Sequence, residues 1–451
     1  MSAASDIVDG TAPAEPMEHR VGPIRLAPGV LPRHVLAYVT LALTAVCFTG
    51  FTPLMLPYLA SARLHLPANQ LGRVVGGLSG WQSLAVGALA LVFGALADRI
   101  GRRQLLLFTY VAMACGVALY PLQSTQGGFV GAALLIGAGL GAQLVANQAL
   151  GIDYPRNESR GLFMSSMLGV QLVGTALIVG QIGVRLPGWA MRFGAGAESG
   201  LSIAFWCIAA MGVPALALVL FGLKPETKRA PDRAKPIASL SSVLSDFGQL
   251  YAHAKRNGGF QMALLGSMTV RGDLAVVATF LSLSIAAAAR ARGIDPAAAA
   301  RHAGTVYSFV QGGALVGALT MGVLLDRFDR RKLLLAGLAI VSIALLSPML
   351  VHDLMSPQID VAALAMGLAE GAITVPTSVL LGQEAPPHLR GMATSIFVLL
   401  GVLSVAGMSM AGGALFDRFG AAGPFAMAAL LNSAILIRGL FIVWGRRAGP
   451  V

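Results

Sequence analysis

Of the twenty Asp and Glu residues in this 451-residue chain, only Asp273 and Glu370 lie well inside long apolar stretches, and Arg271 is the one cation set deep in such a stretch. A charge at the centre of a bilayer is costly and by default marks a function. The seven His residues all fall in loops or at the ends of stretches, so any proton carried at depth must ride on a carboxylate. Burial disfavours an ionised carboxylate and a neighbouring Arg favours it, so one that alternates between these surroundings takes up and releases a proton. Asp273 and Glu370 are the candidates for that role. Counted from Phe260 and Ile359, Arg271 and Glu370 each lie about 16 Å along their helices, close to the midplane. Arg271 and Asp273 are two residues apart and diverge around a helix. The expected arrangement pairs Arg271 with Glu370 and leaves Asp273 to face a cavity or another helix. The plainer alternative is a static ion pair that fixes two helices.

Neutral polar residues form a second set. Trp81, Gln82, Gln143, Asn147, Gln148, Gln171, Tyr307 and Gln311 sit in apolar stretches and are candidates to line a water-filled substrate cavity. Each amide has helix packing as its competing role. Cys47, Cys115 and Cys207 have neither disulfide nor metal-site spacing.

These residues need helices to hold them. The chain is 56% hydrophobic and only 12% charged, with mean hydropathy +0.74, against about 25% charged in a soluble domain. Twelve stretches are long enough to span a bilayer: 35–58, 72–97, 104–122, 128–150, 161–184, 201–223, 260–289, 303–325, 332–351, 359–382, 391–415 and 422–444. They lack the alternation of barrel strands. Residues 1–33 carry acidic groups and no apolar core, and are expected to form a disordered tail rather than a signal peptide. With twelve spans both termini share one side. If that side is the cytoplasm, 22 Lys and Arg lie inside and 8 outside, every Lys among the former. The positive-inside rule therefore places both termini in the cytoplasm, in a plasma (inner) membrane. This bias accounts for the net charge of +12 and leaves no need for a nucleic-acid partner.

The chain also repeats itself. GALADRIGRR at 94–103 returns as GVLLDRFDRR at 322–331, an offset of 228. DYPRNESRG at 153–161 returns as QEAPPHLRG at 383–391, an offset of 230. The basic segment 224–259 lies between the copies and reads as a connector joining bundles 34–223 and 260–447, with a short tail at 448–451. Two parallel repeats of six spans are the plan of a two-lobed transporter. A carboxylate at the end of span 2 can cap a neighbouring helix, and nearby Arg residues can pair with other helix ends. A weaker echo, GALFDRFG, stands at 413–420.

With these motifs, residues 33–447 resemble the major facilitator superfamily. The loop signature is matched in full by Gly94, Asp98, Arg99, Gly101, Arg102 and Arg103, and by Gly322, Asp326, Arg327, Arg330 and Arg331, with Asp329 in place of the second Gly. The resemblance implies an all-α membrane protein of twelve transmembrane helices in two pseudosymmetric six-helix bundles. It also implies that these loop residues, with Asp153 and Arg160, form a cytoplasmic latch.

No nucleotide-binding loop, HExxH or GxSxG constellation is present, so energy must come from a gradient and enzyme function is not expected. The leading expectation is a monomeric, proton-coupled secondary transporter of a small organic solute, with Arg271 favouring an anion. No cofactor is needed beyond the proton gradient. Proton-driven multidrug efflux is the alternative, disfavoured because span 5 lacks the Gly-Pro signature of such antiporters. A non-transporting sensor is the alternative of another class.

Overall fold

A computed structural model describes residues 19–225 and 240–444, apart from the side chains of 68, 95–99 and 240–244. Among the described residues, twelve helices are long and apolar enough to cross a membrane. Spans 1 to 6 are Pro32–Leu64, Leu71–Gly94, Arg102–Leu122, Gln126–Asp153, Asn157–Arg192 and Ala197–Phe221. Spans 7 to 12 are Gly258–Ala291, Pro296–Leu325, Arg330–Leu350, Gln358–Glu384, Pro387–Phe419 and Ala422–Trp444. In lipid every backbone group must be satisfied within the protein, which leaves helices as the solution for apolar runs of this length. Side chains mark several helix starts. Thr125 accepts from Gly128 N–H, Asn257 from Phe260 N–H, and Asp295 from Ala298 N–H with Pro296 opening the helix.

Within each half, corresponding spans meet through glycine. A Cβ on Gly137 of span 4 would lie 2.4 Å from the Gln82 carbonyl oxygen of span 2, and one on Gly367 of span 10 would lie 2.0 Å from the Val310 carbonyl oxygen of span 8. Backbone against backbone at this range admits no larger residue, so the glycine-rich run at 137–141 serves packing.

The halves meet on the side away from the termini. Spans 2 and 11 touch there through Gly76 and Gly413, and spans 5 and 8 through Gly180 and Gly304. Ser282 of span 7 donates to the Leu54 carbonyl oxygen of span 1 at 2.6 Å. Span 5 widens into a π-helix over Thr175–Ile182, and here the Ala176 carbonyl oxygen accepts from Ser308 of span 8 at 2.7 Å. This side is sealed. Beside the seam, Arg292 pairs with Asp353 at 2.5 Å. The Met355 backbone N–H, and then Arg292, hold the Asp353 carboxyl below its usual range. A lowered folded-state pKa contributes stability above the unfolded value and loses it as pH falls through the folded one. A melting-temperature deficit of Asp353→Asn relative to the parent, present at neutral pH, should therefore shrink on acidification; a deficit that grows would refute this.

Two elements on the terminal side differ from expectation. Residues 19–31 are ordered, not a disordered tail; residues 1–18 lie outside the described residues. Strands β1 (Arg20–Val21) and β2 (Ile24–Arg25) pair antiparallel, with Gly22 at φ 56° in the turn. The segment borrows its remaining partners from the loop after span 4. Ala27 N–H donates to the Tyr154 carbonyl oxygen and Arg156 N–H to that of Arg25, Arg25 N–H donates to Ser159 Oγ, and Arg25 pairs with Glu158 at 3.1 Å. Ile24, Leu26 and Val30 are buried beneath it. The connector, expected as a loop over 224–259, contains the helix Leu240–Arg256; residues 226–239 lie outside the described residues. This helix buries Leu250 while Phe247 and Tyr251 remain exposed. His253 Nε2 donates to the Glu384 carbonyl oxygen at 2.9 Å, and Asn257 Nδ2 to Glu384 Oε2 at 2.9 Å.

Candidate transport site and latches

Asp273 on span 7 is wholly buried, and its Oδ2 accepts from Asn432 Nδ2 of span 12 at 2.7 Å. Asn432 Nδ2 also donates to the Ala428 carbonyl oxygen at 2.9 Å. Glu370 on span 10 is buried and interacts electrostatically with Asp273 and with Tyr307 on span 8. Gln311 lies one helical turn beyond Tyr307, also buried. Four acceptor oxygens of this group have no hydrogen-bond donor: Asp273 Oδ1, Glu370 Oε1, Gln311 Oε1 and Asn432 Oδ1. Buried polar atoms are rarely left so. The group has acceptors in excess and needs a donor.

Arg271 does not pair with Glu370, contrary to expectation. The two-residue spacing sends Asp273 inward to spans 10 and 12 and turns Arg271 towards span 11. There its stem lies over Gly401, where a Cβ would stand 2.4 Å from Arg271 Cδ. Among the described residues Arg271 has no hydrogen bond or ion pair, and it is partly exposed where both carboxylates are buried.

The remaining cavity candidates are spread more widely. Gln143 is buried, Gln82, Asn147 and Gln171 are half-buried, and Trp81 and Gln148 are exposed. The Asn147 carbonyl oxygen accepts from Tyr38 Oη at 3.4 Å. Unlike Tyr307, these residues are not joined to the carboxylate group by any described contact.

On the terminal side the repeated loops make related but unequal contacts. Arg102 pairs with Asp153 at 3.2 Å, and Arg103 donates to the Leu220 carbonyl oxygen at the end of span 6, where a cation meets the negative helix terminus. In the second half Arg330 donates to Gln383 Oε1, the counterpart of Asp153. The acid has moved one place, and Arg331 takes it, bonding Glu384 at 2.6 Å. Arg160 does not reach Asp153; it donates to Asn157 Oδ1 at 2.8 Å and to the Ile152 carbonyl oxygen at 3.3 Å. Gly94 and Gly322 have nothing within 4 Å of a Cβ position, and Asp326 and Arg327 are exposed. The side chains of Asp98 and Arg99 lie outside the described residues. The Gly-to-Asp departure has a local cause. Gly101 precedes span 3 at φ 91°, which suits glycine, whereas Asp329 precedes span 9 at φ −62° and caps Arg331 and Lys332 N–H.

Glu384 thus ties Arg331 and the connector helix to the end of span 10. Glu384→Gln, which takes the charge from the hydrogen bonds to Arg331 and Asn257, is expected to loosen that helix by about 1.5–3 kcal/mol, the scale of a charge-assisted hydrogen bond. Hydrogen exchange across 245–256 should quicken about tenfold or more; unchanged protection would show that packing of Leu250 and the His253 bond to the Glu384 backbone hold the helix without the carboxylate.

Sequence reasoning missed two residues. Asn432 is the one amide of span 12, and its sequence context gives no sign of a partner. Asp417, in the echo at 413–420, acts on the sealed side. Its buried carboxylate accepts from Gly72 N–H at 2.7 Å and Arg73 N–H at 2.9 Å, capping span 2 from span 11 of the other half. Asp417→Ala removes a cap worth about 1 kcal/mol and should favour separation of the halves on this side severalfold, read as thiol labelling in the seam; equal labelling would show that this cap does not help to close the seam.

Two bundles of six membrane spans, joined on one side and holding unpaired polar groups near the midplane, define a multi-pass membrane transport protein. The Major Facilitator Superfamily model matches residues 37–289 and 263–451, and the chain belongs to that family, one of secondary transporters of small solutes rather than enzymes. It is similar to the gallate transporter of Pseudomonas putida, 25% identical over 421 residues, 84% of this chain and 85% of that protein. It is also similar to the magnetosome protein MamH of Paramagnetospirillum magneticum, 22% identical over 350 residues, 76% and 77% of the two chains. Among solved structures, the nucleoside transporter NupG superposes with TM-score 0.68 at 13% identity, over 90% of this chain and 98% of that one. The D-xylose-proton symporter gives 0.66 at 15% identity, over 91% and 97%.

Proposed function

We propose that this chain is a proton-coupled transporter of a small organic anion, working by alternating access. The carrying observation is Arg271: a cation near the midplane, partly exposed and, among the described residues, without a hydrogen bond or ion pair. An anionic cargo supplies the missing partner. The likeness to a gallate transporter along most of the chain supports a carboxylate of that kind. A proton on Asp273 or Glu370 would supply the donor that their cluster lacks, which supports these two as the coupling groups. The Lys and Arg distribution supports placing both termini and the repeated loops in the cytoplasm of a plasma (inner) membrane. On that reading the side sealed in the described state is the outer one, and the loop pairs Arg102–Asp153 and Arg331–Glu384, each within one half, are the cytoplasmic contacts that would rearrange into a latch when that side closes. Rocking of residues 34–223 against 260–447 would exchange the two states.

The test uses the purified protein in liposomes with a pH dye inside, offered gallate, benzoate, xylose and a nucleoside. Proton movement with the carboxylates alone, lost in Asp273→Asn or Glu370→Gln, is the expected result. Movement with the neutral solutes would overturn the anion assignment, and full coupled transport by both variants would overturn the coupling assignment.

A further inference from the structure

A second basic site lies on the sealed side. Span 5 there contributes Arg185, Trp189 and Arg192, and span 8 contributes Arg301, His302 and Thr305, around a cavity of about 380 Å³. That is within the range of about 300–1,000 Å³ typical of small-molecule pockets. Among the described residues no carboxylate lines it. Arg185 is held in place by donating through both terminal nitrogens to Gln181, to the backbone oxygen and, at 3.0 Å, to Oε1. His302 Nε2 lies 2.9 Å from the Leu354 carbonyl oxygen. Among the described residues Arg192 and Arg301 form no ion pair, and the Arg301 guanidinium lies near Gly188, 3.3 Å from where a Cβ would stand. Trp189 is 41% exposed and offers a flat apolar wall beside these cations.

We infer that this cavity is a second anion-binding site, built from both halves, which takes a small organic anion with a flat ring. The Arg residues supply charge-assisted hydrogen bonds to its carboxylate, and Trp189 supplies a face for the ring. The same Gln181 that fixes Arg185 donates to Ser308 Oγ across the seam at 2.9 Å, so the site and the seal share a residue. Because each half supplies part of it, the site is complete only while this side is closed. An anion bound there favours that state by its difference in affinity for the two. The inference stands whether or not Arg271 binds the cargo.

Benzoate is the probe, added to the purified full-length protein while tryptophan fluorescence is read. The expected result is a saturable change that is absent from Trp189→Phe, weakened about tenfold or more in Arg301→Gln and in Arg192→Gln, and largely restored in Arg301→Lys. It should be unchanged in Arg271→Gln, which separates this site from the midplane. Equal binding by the parent and both Gln variants would overturn the site, as would loss of the signal in Arg271→Gln. Displacement by inorganic phosphate as effective as by benzoate itself would overturn the organic-anion assignment. Arg192 is exposed at a helix end, so its variant carries the test if Arg301→Gln fails to fold.

Discussion

A Gly413→Leu protein should react with a thiol reagent at Ser409→Cys at least about fivefold faster than a parent carrying the same cysteine, with the three native cysteines replaced in both. Ser409 is wholly buried in the seam, so it reacts only when spans 2 and 11 part. A Cβ on Gly413 would stand 2.3 Å from the Gly72 carbonyl oxygen and 3.2 Å from Arg73 Cα. These are backbone atoms that no rotamer change can move aside. Overpacking of this kind costs about 1–3 kcal/mol, or about five- to 150-fold in the ratio of sealed to open states. The spans can separate without disturbing packing inside either bundle, so the change should appear as opening rather than unfolding. An unchanged rate would mean that the seam yields locally and is not what closes this side.

Replacing Arg271 with Gln should lower transport of an organic anion by about a hundredfold in kcat/KM. An Arg fork can hold a carboxylate through two charge-assisted hydrogen bonds, each worth about 1.5–3 kcal/mol. Since Arg271 has no protein partner among the described residues, the substitution strands no buried charge, and the loss falls on the cargo. Arg271→Lys should recover part of the activity, because a point charge remains while the fork is lost. Initial rates of labelled gallate or benzoate uptake into liposomes decide the matter, and an Arg271→Gln protein with undiminished uptake would end the role.

The span pattern and the two-fold repeat were legible in the sequence because lipid permits one kind of element for an apolar run of this length, and because the loop motifs return at nearly one offset. The loop residues Arg102 and Asp153 were legible as motif members for the same reason, but not that they meet each other. Partner choice at depth was not. Spacing showed that Arg271 and Asp273 point apart, but not which of them faces span 10, a choice made by the room that Gly401 leaves on span 11. Asn432 and Asp417 act on residues 159 and 345 positions away in sequence, distances at which helical periodicity carries no information. The strands at 20–25 were missed because they are too short to show a pattern and lean on hydrogen bonds from the loop at 154–159.

Those strands and the connector helix have a practical use. One is fastened to the first bundle through Arg25 and Ala27, the other to the second through His253 and Asn257, and both stand on the same face. Pro23 and Gly248 are exposed, so each offers an open point for a dye on a rigid mount. Energy transfer between such a pair would follow the angle between the bundles in a single molecule, and turn each transport cycle into an optical trace.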